Sequence, residues 1–280
     1  MKYLTLPRTE MLKTARIPVS TVSDSNAVVR KFAEDFIADF VSARQNGRRK
    51  VTFIVPVGPV GQFDLIAEIC NAERISLTDL IVINMDEYLL DDGHSFIPET
   101  DPLSFRRHMR QHFYDRLDPV LAPSPDQRIF PDPADLGRVA RVIESNDGVD
   151  VAYCGVGING HLAFNDPPES DENDSVEAVG GSTTRVVRLT RETRLINSVT
   201  AAKGNVDRIP RFASTVGMKE ILDAKKVRVY MNRVWQCAIS RKILCGPMTG
   251  RVPASLLQAH PDASVVLAEY VTELPEPTLA

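Results

Sequence analysis

Apolar and polar positions along the chain fall into two alternating rhythms. After Asp24 or Ser25, either of which can cap a helix, Val28, Val29, Phe32, Phe36, Ile37 and Phe40 recur near helical spacing. That helix runs to about Arg44, and Asn46-Gly47 ends it. Val51-Thr52-Phe53-Ile54-Val55 is a short, mainly apolar run, as expected of a buried strand, and Phe63 to Cys70 reads as a short helix. The same alternation continues with strands at Leu80 to Ile83, Val149 to Cys154, Arg185 to Leu189, Val227 to Met231 and Ser264 to Ala268. Helices are expected at Leu103 to Leu117, Asp135 to Ser145, Thr215 to Leu222 and Val234 to Leu244, and Pro119 to Pro133 reads as a surface connection. Strands separated by helices imply an α/β fold, a mainly parallel sheet with helices on both faces.

Two runs at strand ends carry the chemistry. Gly155-Val156-Gly157-Ile158-Asn159-Gly160-His161 follows the Val149 to Cys154 strand, and Asp166 stands five residues beyond the histidine. A glycine turn there lets side chains and backbone N–H groups, those of Gly157 and Gly160 among them, converge on a ligand. His161 is the side chain best suited to moving protons near neutral pH. Asn84-Met85-Asp86-Glu87-Tyr88 follows the Leu80 to Ile83 strand. Adjacent carboxylates at a buried strand end are costly unless paired or used. They either cap the next segment or face a ligand, and neighbouring strand residues face opposite ways. Ligands of open α/β sheets bind outside the strands' carboxyl ends, so both runs point to one mouth.

Composition narrows the function class. The 280 residues are 43% hydrophobic, enough for a substantial core, and the formal net charge of −4 offers no field for nucleic acid or an acidic membrane surface. Cys70, Cys154, Cys237 and Cys245 form no C-x-x-C pair and read as reduced thiols of a cytoplasmic protein. The first twenty residues show no apolar signal region, and no run approaches membrane-spanning length.

Together the two motifs resemble the glucosamine-6-phosphate deaminase (isomerase) family, whose pattern is N-M-D-E-Y after one strand and G-x-G-x-D-G-H-I-A-F-N-E-P after a later one. The resemblance extends through Thr190 to Ser198, Ala213 to Gly217 and Leu257 to Pro261, covering residues from about 25 to 270 in order. It implies a three-layer αβα, doubly wound, Rossmann-like fold in a single domain over 1–280, with a lid-like segment at about 185–210. It also implies conversion of an amino-sugar phosphate to a ketose phosphate with release of ammonia, without metal or organic cofactor, in a homo-oligomer. By resemblance, His161 opens the pyranose ring and Asp86 shuttles the proton from C2 to C1. Partial burial would raise the basicity of Asp86, and Tyr88 and Glu87 would line the same pocket.

The chain departs from the family at several positions. Asn159 replaces an Asp that orients the histidine, and Asp166 replaces a Glu, leaving Asp166 as a candidate sole carboxylate partner of His161. The expected phosphate loop is Val57-Gly58-Pro59-Val60-Gly61-Gln62-Phe63, which lacks hydroxyls, and Pro59 has no N–H to donate. Val199 and Gln236 stand where the family has Arg and Lys. Arg233, Lys203, Arg208 and Lys219 are the candidate replacements, with Gly58, Gly61, Gln62, Arg233 and Gln236 as expected substrate contacts. Trp235 and Phe63 belong either to the core or to a more apolar pocket. Acidic stretches at Asp91 to Asp101 and Glu169 to Glu177 flank the two motifs. Two other readings fit the sequence less well: a hydrolase resembling 6-phosphogluconolactonase, and a sugar-binding sensor on the same fold.

Overall fold

The computed structural model describes residues 2–169 and 172–277. Ser170 and Asp171 of the acidic run lie outside the described residues. The strands are β1 (Val19–Val22), β2 (Val51–Val55), β3 (Leu80–Asn84), β4 (Asp86–Leu89), β5 (Arg128–Ile129), β6 (Val151–Cys154), β7 (Arg185–Arg188), β8 (Phe212–Thr215), β9 (Lys226–Met231) and β10 (Ala263–Ala268). The α-helices are α1 (Arg8–Thr14), α2 (Ser25–Gln45), α3 (Gln62–Glu73), α4 (Phe105–Met109), α5 (Gly137–Ser145), α6 (Val176–Gly180), α7 (Arg191–Ala201), α8 (Met218–Leu222) and α9 (Cys237–Cys245).

Among the described residues, seven strands form one parallel sheet in the order β1-β10-β9-β6-β2-β3-β5. Every residue of β2, β3 and β6 is buried, as a parallel sheet covered on both faces requires. The fold is a three-layer, Rossmann-like αβα arrangement. From β2 the chain first winds outward through β3 to β5, then returns to lay β6 on the other side of β2. The strand order therefore reverses between β2 and β6. At such a switch point the loops after the two strands splay apart and leave a crevice.

The layer beneath this crevice is aromatic. Asp24 caps α2 by accepting the Ala27 N–H, and α2 then presents Phe32 and Phe36 to the sheet. Phe36 meets Phe53 edge-on at 5.0 Å, and Phe63 of α3 meets Phe113 at 5.1 Å. Tyr153 and Tyr230 join the cluster and keep their hydroxyls on the Asp39 and Asp35 carboxylates of α2. Burying each ring is worth roughly 1.5–3 kcal/mol, so the cluster anchors the floor on which the loops stand.

Several elements differ from the sequence expectation. The strand at Arg185 belongs to a second, antiparallel sheet of order β4-β8-β7, in which Asp86 pairs with Thr215 and Tyr88 with Ala213. Thr215 ends a strand rather than starting a helix, because it pairs with Asp86 on one side and Arg185 on the other, and the helix begins only at Met218. The helix expected over Leu103 to Leu117 is α4 followed by five residues of π-helix, Arg110–Tyr114. The Pro-rich connection contains the edge strand β5, where Arg128 and Ile129 pair with Val82 and Ile83. No helix among the described residues is long and apolar enough to cross a membrane.

Candidate active site

A cavity of about 360 Å³ opens at the β2–β6 switch point, lined among others by Gly58, Val60, Asp86, Tyr88, Gly157, His161, Arg233 and Trp235. They arrive on four strand ends. β2 supplies Gly58, the β3–β4 corner supplies Asp86, β6 supplies Gly157 and His161, and β9 supplies Arg233. A larger open groove of about 1450 Å³ lies outside β7 and contains neither Asp86 nor His161.

Asp86 is 9% exposed, and no hydrogen bond or cation among the described residues offsets its charge. Burial, and secondarily the Glu87 carboxylate, pushes its pKa up to about 8. The protein thus holds against the cavity an unpartnered carboxyl that keeps its proton until mildly alkaline pH and is strongly basic once ionised. Tyr88, two residues on, packs against Phe105 and Phe164 and receives a hydrogen bond from the Asn197 amide at 2.9 Å. Glu87 faces the other way. It is fully buried and accepts hydrogen bonds from the N–H groups of Tyr88, Phe105 and Arg106, the Ser104 hydroxyl and the Arg106 guanidinium. It ties down the start of α4 and takes no part in the cavity lining.

His161 is held by its own loop. Its Nδ1 lies 2.9 Å from both Asn159 Oδ1 and Asp166 Oδ1. Two acceptors at Nδ1 fix the proton there and leave Nε2 as the free ring nitrogen. Nε2 and Cε1 sit over Gly157, where a Cβ would come within 2.0 Å of them. Gly157 is therefore glycine because the imidazole occupies the space of a side chain. Gly160 adopts φ +90, and a Cβ there would come within 2.7 Å of Val252, so it serves the turn and lies outside the cavity lining.

Asn159 and Asp166 divide the support of His161 between them. The Asn159 amide donates to Asp166 Oδ1 at 2.8 Å while its oxygen accepts from His161. Burial alone would raise the Asp166 pKa, but hydrogen bonds from His161, Thr193 and Asn159 and the histidine charge outweigh it and hold the carboxyl well below its usual range. Asp166 stays ionised beside the imidazole and can stabilise its charged form.

The expected substrate contacts separate on inspection. Gly58 and Arg233 line the cavity. Gly61, at φ +106, caps α3 instead. Gln62 is buried and turns its amide back onto the Val57 carbonyl, and Gln236 is buried and donates to the Val156 carbonyl while accepting the Arg233 N–H. Both glutamines brace the loops that form the wall. Trp235 lines the cavity, whereas Phe63 is in the core. Among the lining residues that are described, Arg233 is the guanidinium, and no ion pair engages its side chain. Lys219 pairs with Asp223 and Arg208 with Asp101, so both are committed elsewhere.

Sequence reasoning missed Thr193, Asn197 and His108 as site residues. Thr193 and Asn197 are four apart on α7 and share a face, which the segment Thr190 to Ser198 made visible. His108 lines the cavity with its ring stacked on His112 at 4.3 Å, and burial lowers its pKa to about 4. No local signal distinguishes it from a surface histidine.

The chain is 30% identical over 217 residues to the glucosamine-6-phosphate deaminase of Bacillus velezensis, spanning 75% of this chain and 81% of that protein. It is 29% identical over 218 residues to the enzyme of the same name from Halothermothrix orenii, spanning 77% and 83%. Among solved structures, a monomeric glucosamine-6-phosphate deaminase superposes with a TM-score of 0.77 at 22% identity, over 92% of this chain and all of that one. A 6-phosphogluconolactonase from Trypanosoma brucei superposes with a TM-score of 0.64 at 14% identity, over 94% of this chain. At those identities the likeness shows the fold alone. No protein-family model matches the chain.

Proposed function

The chain belongs to the glucosamine-6-phosphate deaminase family, and on that premise we propose that it converts an amino-sugar phosphate, glucosamine 6-phosphate by default, to a ketose phosphate and ammonia. Deaminase/isomerase-type catalysis follows from the family. The observation that carries the finer reading is the unpaired, basic Asp86 carboxylate facing the same cavity as the free Nε2 of His161.

In this reading His161 moves a proton between O1 and O5, which opens the pyranose and exposes the C1 aldehyde. Asp86 then takes the proton from C2 and returns it to C1 while a proton passes from the amino nitrogen to O1, so that C1 becomes a hydroxymethyl group and C2 an imine. Water adds to that imine, the C–N bond breaks, and ammonia leaves. Asp166 stabilises the imidazolium formed on the way, with Asn159 keeping both in register. Tyr88 walls the sugar, and Arg233 supplies the charge for the phosphate. Residues 185–210, which include β7 and α7, form the lid of a single 1–280 domain. The four free thiols suit a reducing, cytoplasmic setting, and the assembly is a homo-oligomer, which light scattering would check.

The test is ammonia release from glucosamine 6-phosphate and from glucosamine in parallel, with Asp86→Asn as control. Turnover of the ester, lost in the variant, supports the reading. A folded protein that releases no ammonia from either, but hydrolyses 6-phosphogluconolactone, would overturn it in favour of the lactonase reading.

A further inference from the structure

The acid–base pair of the cavity is fastened from outside its own loop. Thr193 of α7 is fully buried, and its hydroxyl donates to Asp166 Oδ1 at 2.6 Å while lying 3.2 Å from His161 Nδ1. The direction of that bond follows from chemistry: an ionised carboxylate only accepts, so the hydroxyl proton points to Asp166. Asp166 Oδ1 thus gathers Asn159, His161 and Thr193, and Oδ2 accepts the backbone N–H of Thr190, the residue that caps α7. Two of the four donors on Asp166 belong to α7 and its cap. One turn further along, Asn197 reaches the Tyr88 hydroxyl beside Asp86, and Ile196, Thr200 and Ala201 form cavity wall.

We infer that Thr193 is a positioning residue for ring opening: its hydroxyl fixes the Asp166 carboxylate against His161 Nδ1, so that the seating of α7 sets whether Nε2 faces the cavity. The inference rests on the reading of His161 as the ring-opening group. A displacement of α7 pulls on Asp166 through Thr190 and Thr193 together, and Asp166 is the sole carboxylate within hydrogen-bond reach of Nδ1 among the described residues. The wall that closes over the substrate and the group that opens its ring therefore move as one.

The experiment compares Thr193→Val, which keeps the shape and removes the hydroxyl, with Thr193→Ser, which keeps the hydroxyl, and with His161→Gln, all in the full chain. Ammonia release from glucosamine 6-phosphate should fall about 10- to 100-fold in kcat for Thr193→Val with KM changed less than about 2-fold. Thr193→Ser should recover most of it, and the melting temperatures should stay close together. An acyclic amino-alditol phosphate, which needs no ring opening, should inhibit the wild type and Thr193→Val equally. An unchanged kcat in Thr193→Val, or a serine variant no better than the valine variant, overturns the inference even if His161→Gln is inactive. Wild-type turnover by His161→Gln, or none by the wild type, overturns the underlying reading and the inference with it.

Discussion

Within the cavity, Asp86 is a carboxyl that the fold buries with no side-chain hydrogen-bond donor among the described residues. Desolvation moves its pKa from 3.8 to about 8, so between those values the folded protein holds a proton that the unfolded chain has released. Stability contributed at this position is therefore lost as pH rises across that window. Asp86→Asn removes the ionisation, so the variant's melting temperature should gain on the wild type steadily from about pH 4 to pH 8, while its turnover disappears. Thermal melts across pH check this, and a constant difference would show that Asp86 is not buried as described. The same pKa sets the chemistry: the base must be ionised, so kcat/KM should climb with pH to a midpoint near 8. At Asn159 the amide donates to Asp166 at 2.8 Å, and Asn159→Asp would set two carboxylates at that distance. One of the pair would then resist ionisation, and activity and stability should both fall as pH rises through that carboxyl's raised pKa. Adding Asp166→Asn to Asn159→Asp restores one charge and one amide, and should recover much of the lost stability.

At the level of elements, Glu87 shows how neighbouring members of one motif face opposite ways. Asp86 and Glu87 are neighbours on a strand, so one had to face away from the cavity; the resemblance pointed to Asp86 as the one in use, but the sequence does not show what Glu87 does instead. The answer lies in α4, whose first N–H groups and Arg106 need an acceptor and find it in Glu87. Glu87→Gln should cost about 1–3 kcal/mol in denaturant unfolding, because buried donors lose a charged partner. Per folded molecule, its effect on turnover should be far smaller than that of Asp86→Asn. Most of the strands legible in the sequence lie in the buried parallel sheet, where β2, β3, β6 and β10 are mainly apolar and β9 ends in Val229-Tyr230-Met231, and β7 was legible too although it is only half-buried. β4 and β8 were not legible, because Asp86-Glu87-Tyr88-Leu89 and Phe212 to Thr215 alternate too briefly, and their pairing depends on partners far along the chain. The expected glycine loop was visible at Gly155 to His161. The roles of Gln62 and Gln236 were not, because a glutamine bonded to a carbonyl behind the loop looks the same in sequence as one facing a ligand.

Across the whole molecule, the winding order puts four strand-end loops around one crevice, and the charge distribution then decides what enters it. The chain carries a formal charge of −4, so its overall field resists an anionic substrate. Val60, which lines the cavity, is 54% exposed, and Val199 and Val234, exposed at 67% and 70%, are the sequence neighbours of the lining residues Thr200, Arg233 and Trp235; none of these valines offers a dianion anything to bind. On the proposed function, the Arg233 guanidinium, which lines the cavity with Trp235 and has no ion pair among the described residues, is the group that would read the phosphate. A charge-assisted hydrogen bond of this kind is worth about 1.5–3 kcal/mol, so Arg233→Gln should raise KM for glucosamine 6-phosphate roughly 10- to 100-fold. The same change should leave turnover of unphosphorylated glucosamine, if any, where it was, because no charge remains to be read. Salt separates the two further: KM for the ester should rise with ionic strength in the wild type and flatten in the variant, since screening weakens an exposed ion pair first. Equal losses on both sugars would mean that Arg233 shapes the loop rather than reading the phosphate. In that case the exposed valines, and not the cation, would describe the distal end of the substrate.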